Sequence, residues 1–242
     1  MKMTAFASRN LKEMLRDPIN FGFGLGFPIV LLLLLTAIQS NIPVSIFELD
    51  TLTPGVALFG LSFVALFSAT LISKDRCSSL MLRLLASPMT ASDFIFGYTL
   101  PMLPLAFAQS AVTFLVAVIL GLQVSWGILF SILSLIPAQI FFIAVGLLCG
   151  TLLTDRQVGG ICGALLTNLT AWLSGTWFDV KLVGGVFERI AGFFPFLHAV
   201  EAGRAAYAGD FASMWGQLLP VALWALLTLA AAVFVFRRKM EA

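Results

Sequence analysis

Charged side chains are scarce in this sequence. Only 11% of its 242 residues are Asp, Glu, Lys or Arg, whereas an ordinary soluble domain has about 25%. None of them occurs between residues 94 and 154. Because a membrane core about 30 Å thick is crossed by roughly 20 apolar residues in a helix, this stretch predicts two crossings joined by a tight turn at 121–127. We therefore expect the protein to reside in a lipid bilayer.

The groups that carry most enzyme and ion-coupling chemistry are missing or isolated. The sequence has no Gly-x-x-x-x-Gly-Lys-Ser/Thr phosphate-binding loop and no cluster of metal ligands. Its three cysteines, Cys77, Cys149 and Cys162, are odd in number and widely spaced, which argues against a disulfide framework. No predicted span contains Asp, Glu, Lys or Arg, which argues against ion-coupled transport. If this chain moves a solute uphill, the energy must come from a partner, and we expect no cofactor, metal or catalytic residue in the chain itself.

Charge-free windows predict a single all-α integral membrane domain over residues 1–242. Backbone groups in lipid must be hydrogen-bonded within their own segment, so each crossing is expected to be a helix. The six predicted spans are 19–38, 51–73, 96–120, 128–153, 157–178 and 211–236.

Lysine and arginine are distributed unevenly between the two sides of this predicted bundle. With six spans both termini share a side, and that side holds eleven of the fourteen basic residues. Only Lys181, Arg189 and Arg204 lie opposite. The positive-inside rule therefore predicts cytoplasmic termini. No polar stretch mixes basic and aromatic residues, so nothing supports nucleic-acid binding.

Two segments on the predicted cytoplasmic side do not span. Residues 2–16 place their charges on one helical face and apolar residues on the other, which predicts an interfacial helix bound to membrane lipids. Residues 77–87 form a second short helix with an apolar ridge that ends at Pro88. An exposed apolar ridge indicates a partner surface; the alternative is that it packs on the chain's own spans.

The third non-spanning segment, residues 179–210, lies on the predicted outer side between spans five and six. Its apolar pieces are too short to cross, so we expect a re-entrant helical hairpin broken at Pro195. Glu201 and Arg204 are spaced to pair on one helix turn, a structural role being favoured over substrate contact. His198 is expected to be a hydrogen-bonded wall residue rather than a proton relay.

Few polar or small residues interrupt the spans. Gln139 and Asn168 either line a pathway or hold helices together, and the sequence does not separate these alternatives. Glycines recur four residues apart, a spacing that allows helices to approach closely. The pairs are Gly22/Gly26, Gly146/Gly150 and Gly159/Gly163, and at least one pair is a candidate subunit interface.

The order of these features resembles a known family. An interfacial helix ending Arg16-Asp17-Pro18 precedes a first span with Phe27-Pro28 and a cytoplasmic helix ending Leu84-Leu85-Ala86-Ser87-Pro88. Leu173-Ser174-Gly175, Phe194-Pro195-Phe196 and Glu201-Ala202-Gly203-Arg204 follow. This arrangement is similar to the permease subunit of type-2 ABC exporters of drugs, polysaccharides and lipids, which places the chain in a bacterial cytoplasmic membrane.

The resemblance implies roles for individual residues. The 77–87 helix would be the coupling helix seated in a cytoplasmic ATPase, and residues 3–15 would be the connecting helix beside it. The implied ATPase contacts are Leu80, Met81, Arg83, Leu84, Leu85, Arg9, Lys12, Asp155 and Arg156. ATP and Mg²⁺ would belong to that partner subunit. The family often has an acid-base-acid run followed by Gly-Thr before the coupling helix, where this chain reads Lys74-Asp75-Arg76-Cys77-Ser78-Ser79.

The resemblance also implies a second permease chain, identical or homologous. The interface would involve the first and fifth spans, and hence Gly22, Gly26, Gly159 and Gly163. Hydrophobic or amphiphilic cargo is expected, with a lipid-linked glycan as the alternative, for which Trp172 and Trp177 are candidate track residues or membrane anchors. A passive channel or scaffold and a lipid-modifying membrane enzyme are the competing classes.

Overall fold

The computed structural model describes residues 2–18, 22–43, 45–78 and 90–241, and no strand occurs in these ranges. The helices within them are α1 (Lys2–Leu15), α2 (Gly22–Gln39), α3 (Leu49–Arg76), α4 (Ala91–Ile119), α5 (Trp126–Leu152), α6 (155–173), α7 (Val180–Val183), α8 (Gly185–Phe193), α9 (Pro195–Ala208) and α10 (Phe211–Glu241). Most of the predicted 77–87 helix, including Leu80, Met81, Arg83, Leu84 and Leu85, lies outside the described residues.

Five helices in the described ranges are long and apolar enough to cross a membrane, namely α2, α3, α4, α5 and α10. They correspond to the first four and the last of the six predicted spans. The predicted fifth span overlaps α6, which is not among these five and whose first turn carries Asp155 and Arg156. The all-helical class is confirmed, and the count of six stays a prediction.

Helices α2 and α6 contain π-helical segments. The first turn of α2 is π-helical over Gly22–Gly26. In α6, a π segment at Gly159–Leu166 lies between the α-helical pieces Asp155–Val158 and Thr167–Leu173. The i→i+5 turn of a π-helix is rare and frequently occurs at functional sites. Both glycine pairs predicted at the subunit interface fall in these segments.

Local sequence explains several helix boundaries. Thr90 caps α4 by a reciprocal pair of bonds with Asp93, and Thr154 caps α6 in the same way with Gln157. Pro195 is the first residue of α9, a position where its missing N–H costs nothing. Gly209 ends that helix with φ +79°, a conformation that glycine adopts without strain.

Helix α3 lies at the centre of the bundle. Of its most apolar 18 residues, 89% are buried, against 17% for α2 and 22% for α10. It packs closely on α5, because Gly146 and Gly150 face its backbone. A Cβ on these glycines would lie 2.7 Å from the carbonyl oxygen of Ala65 and 2.8 Å from that of Ala69. This glycine pair therefore joins two helices of the same chain.

Candidate functional site: an inner clamp and an aromatic groove

Helix α1 packs through one face on the C-terminal end of α3 and the N-terminal end of α4, which we call the inner end of the bundle after the orientation that the sequence predicts. Phe6, Ala7, Asn10 and Met14 are buried, and the ring of Phe6 meets that of Tyr98 edge-on at 4.9 Å. The amphipathic pattern predicted this helix. The buried face differs from the predicted apolar face because it includes Phe6 and Asn10. The sequence pattern did not single out Phe6 and Asn10, because a polar Asn is not expected on an apolar face. The four-residue spacing of Phe6, Asn10 and Met14 was the signal that could have identified this face.

Asp75, at the inner end of α3, collects the polar contacts of α1. Arg9 donates from Nη1 to Asp75 Oδ2 at 2.6 Å and from Nη2 to Oδ1 at 3.0 Å. The Tyr98 hydroxyl donates to Oδ2 at 3.1 Å, and Asn10 donates to the Gly97 carbonyl at 2.9 Å. We call Arg9, Asn10, Asp75 and Tyr98 the inner clamp. A bidentate pair of this kind gives orientation as well as attraction.

Electrostatics favour the clamp in this position. Asp75 is only 3% exposed, and a buried carboxylate needs a charged or hydrogen-bonded partner. Burial alone lowers the pKa of Arg9, but its bonds to Asp75 and the charges of Asp75 and Glu13 outweigh burial and raise it. Arg9 also pairs with Glu13 at 2.5 Å. The guanidinium predicted to contact an ATPase is thus engaged within the chain.

Other predicted ATPase contacts lie on the same end of the bundle. Lys12, Asp155 and Arg156 are exposed. The turn before α6 is joined to α3, because Arg76 donates to the Leu153 carbonyl at 3.3 Å and Ser73 donates to Asp155, the first residue of α6, at 3.3 Å. The inner end of α3 therefore links α1, the 77–87 segment and the turn before α6.

An aromatic groove runs between α2 and α6, with α3 as its floor. It contains about 730 Å³ of empty space, part of it open to the surroundings. Its aromatic lining residues are Phe23, Phe27, Phe59, Phe63 and Trp177, and its polar ones are Thr167 and Asn168. Such a groove suits apolar or ring-containing ligands.

The structure separates the four predicted pathway residues. Asn168 and Trp177 line the aromatic groove. Gln139 is 2% exposed and donates to Ser110 at 3.3 Å, inside the α4–α5 contact. Trp172 lies outside the groove, with its ring edge-on to Phe178 at 6.5 Å. The groove aromatics of α2 and α3 were not singled out from the sequence, because phenylalanines are too frequent there to stand out.

The four predicted interface glycines lie beside this groove. A Cβ on Gly22, Gly26 or Gly159 would meet nothing within 4 Å, and one on Gly163 would meet only Leu66 at 3.5 Å. The described part of the chain therefore leaves these glycines uncovered.

At the opposite end, Arg204 joins three segments. It donates to the Thr51 carbonyl at 2.9 Å, to the Gly175 carbonyl at 2.9 Å and to Glu201 at 2.8 Å. The Glu201–Arg204 pair predicted from the spacing is present, and it also ties α9 to α3.

His198 is held by two polar contacts. Its Nδ1 lies 2.6 Å from Gln217 Oε1 and its Nε2 lies 2.8 Å from the Gly192 carbonyl. The imidazole therefore joins α8, α9 and α10, as expected of a wall residue. In the described ranges, no group of three or more His, Cys, Asp or Glu side chains is placed to hold a metal ion.

Comparison with known families matches residues 1–208 to the model of the ABC-2 type transporter. The matched residues contain the inner clamp, the aromatic groove and the Arg204 contacts. No curated protein matches the chain.

Proposed function

The chain belongs to the ABC-2 type transporter family, and we propose that it is the permease subunit of an ATP-driven exporter. Membrane domains of this family work with ATP-binding subunits. The observation that carries the proposal is the family match to a multi-pass chain whose sequence contains no phosphate-binding loop of its own. ATP and Mg²⁺ would then bind in the partner, and force would enter through a contact between the two proteins.

That contact would lie at the inner end of α3. The 77–87 segment would seat in the ATPase, with Leu80, Leu84 and their neighbours as its apolar ridge. The inner clamp would make α1 move with the base of α3, because three elements share the Asp75 carboxylate. In this arrangement both termini are cytoplasmic, α6 completes six crossings, and 179–210 dips into the outer leaflet.

The pathway would be the aromatic groove, closed by a second permease chain. A Cβ on Gly22, Gly26 or Gly159 would meet nothing within 4 Å in the described chain, and small residues allow the close helix approach that a membrane interface needs. Its aromatic lining supports hydrophobic or amphiphilic cargo. A lipid-linked glycan is the second candidate, because sugars also stack on aromatic rings such as Trp177.

The ATPase contact is tested by Leu84→Asp in the full-length chain, co-expressed with the ATPase encoded beside it. The expected result is normal membrane insertion with loss of co-purification, because a charge would enter an apolar contact. Val124→Asp is the matched control, since Val124 is 80% exposed in the turn between α4 and α5, at the other end of the bundle. Undiminished co-purification and transport by the Leu84→Asp protein would refute the coupling role.

Transport itself is tested in liposomes that contain the assembled complex. ATP-dependent accumulation of amphiphilic dyes or of a lipid-linked glycan would identify the cargo class. Solute movement at the same rate without nucleotide would instead identify a channel.

A further inference from the structure

A second cavity, the inner pocket, lies on the other side of α2 from the aromatic groove. It contains about 610 Å³ of empty space, part of it open to the surroundings. Its walls come from α2, α3 and α4, with Leu25, Phe67, Leu71 and Leu105 among them. A Cβ on Gly24 would come within 2.5 Å of the Phe67 ring, so this glycine lets α2 close the pocket against α3.

The inner pocket follows α3 from its inner end towards the middle of the bundle. Its lining on α3 extends from Lys74 at the inner end to Val64, ten residues or about 15 Å along a helix. That is about half the thickness of a membrane core. Apart from Thr70 and Gln109, the lining between these ends is apolar. This shape fits one alkyl chain that enters from the inner leaflet.

The mouth of the inner pocket presents both signs of charge. Glu13 and Asp17 supply carboxylates, and Lys74 supplies an ammonium group. Glu13 is paired with Arg9, whereas Lys74 is exposed and forms no ion pair with any residue that the structure describes. An anionic headgroup would meet two carboxylates here, and a cationic one would meet Lys74.

We propose that the inner pocket binds a single-chain amphiphile whose headgroup carries both a phosphate and an ammonium group. The phosphate lies at Lys74, the ammonium lies beside Glu13 and Asp17, and the chain follows Leu71 and Phe67 into the bundle. Two sources share this chemistry, a membrane lysophospholipid and an exported cargo. That the ligand is cargo rests on the proposed export function, whereas the binding site does not.

Photolabelling of the full-length permease in nanodiscs, with its ATPase, tests the site. Three probes share one diazirine-bearing alkyl chain and carry a phosphoethanolamine, a phosphate or a trimethylammonium headgroup. We expect the phosphoethanolamine probe to label residues 64–71 and 105–109 about fivefold more than either other probe, the effect of one exposed ion pair. Equal labelling by all three, or stronger labelling by a singly charged probe, would overturn the headgroup assignment.

Variants locate the binding. Leu105→Trp fills the inner pocket and should reduce labelling to the background level. Leu103→Trp adds the same side chain to an exposed position of the same helix and should leave labelling unchanged. Lys74→Glu should move the preference to the trimethylammonium probe. Unchanged labelling of both Leu105→Trp and Lys74→Glu would show that the probes bind elsewhere.

ATP distinguishes the two sources. Transfer of the phosphoethanolamine probe to the opposite leaflet only with ATP, abolished by Leu105→Trp, identifies it as cargo. If labelling persists, and other amphiphiles are exported but this probe is not, the ligand is a resident lipid. That result overturns only the cargo claim. Labelling without export of any compound would refute the proposed function and leave the binding site standing.

Discussion

The guanidinium of Arg9 and the carboxylate of Asp75 meet in a two-bond pair, at 2.6 and 3.0 Å, although 66 positions separate them in the chain. Asp75 lies two residues before Cys77, where the segment proposed to contact the ATPase begins. Tyr98 donates to the same carboxylate. An α1 helix that the sequence predicts only to rest at the membrane surface is therefore attached to the central helix of the bundle.

Removing Arg9 should destabilise the inner end of the bundle. Arg9→Ala leaves the buried carboxylate of Asp75 without its cation, a change that costs about 3–5 kcal/mol where both partners are buried and less here, because the Arg9 side chain is 36% exposed. The expected result is a lower unfolding temperature in detergent and less transport per ATP hydrolysed by the complex. Arg16→Ala removes an exposed cation from the end of the same helix and should change neither. If both variants behave alike, Asp75 does not depend on Arg9.

Tyr98→Phe tests the clamp without changing its charge. The ring contact with Phe6 remains, and only the hydroxyl bond to Asp75 is lost. A hydrogen bond to a charged group contributes about 1.5–3 kcal/mol, so the unfolding temperature should fall by less than in Arg9→Ala. Tyr207→Phe is the control, because its hydroxyl bonds an exposed loop carbonyl, that of Gln123. A fall no greater in Tyr98→Phe than in the control would argue against the clamp.

The glycine pairs should differ in what they support. Gly150→Leu places a side chain against the backbone of α3 and is expected to prevent folding of the chain. A Cβ on Gly26 would meet nothing within 4 Å in the same chain. The Gly26→Leu subunit should therefore fold but fail to pair with a second copy. Cross-linking in membranes, together with the amount of folded protein, separates the two effects. Normal cross-linking of Gly26→Leu would remove this surface from the proposed interface.

Arg204→Gln should loosen the outer end of the bundle. It removes the bonds to the Thr51 and Gly175 carbonyls and the ion pair with Glu201. Each lost bond from a charged donor contributes about 1.5–3 kcal/mol. We expect faster proteolysis between α6 and α7 in right-side-out vesicles. Arg189→Gln, which changes an exposed cation on α8, should be cut at the wild-type rate.

Much of the fold could be predicted from hydropathy alone, because apolar runs of membrane length have few alternatives in lipid. This reasoning predicted α2, α3, α4, α5 and α10. Hydropathy was less informative for α6, because this helix begins with two charged residues and contains an eight-residue π-helical segment. It also predicted the outer Glu201–Arg204 pair, since an i, i+3 spacing on a helix is a local property.

The candidate site required long-range information. Gln139 and Asn168 were equivalent in the sequence, yet Gln139 is buried against Ser110 and Asn168 lines the aromatic groove. The glycine pairs were likewise equivalent, and only the packing of α5 on α3 distinguishes Gly146 and Gly150 from the others. Periodicity describes which face a residue is on, but not which helix that face meets.

The sequence by itself determined that this chain is a charge-poor helical membrane protein, because the cost of placing charge and unpaired backbone in lipid is set residue by residue. Only the tertiary structure decided that Asp75 is a buried anchor for Arg9 and that two separate cavities flank α2. Those outcomes depend on which distant surfaces come together, and the energy of a buried ion pair or a cavity wall exists only once they do.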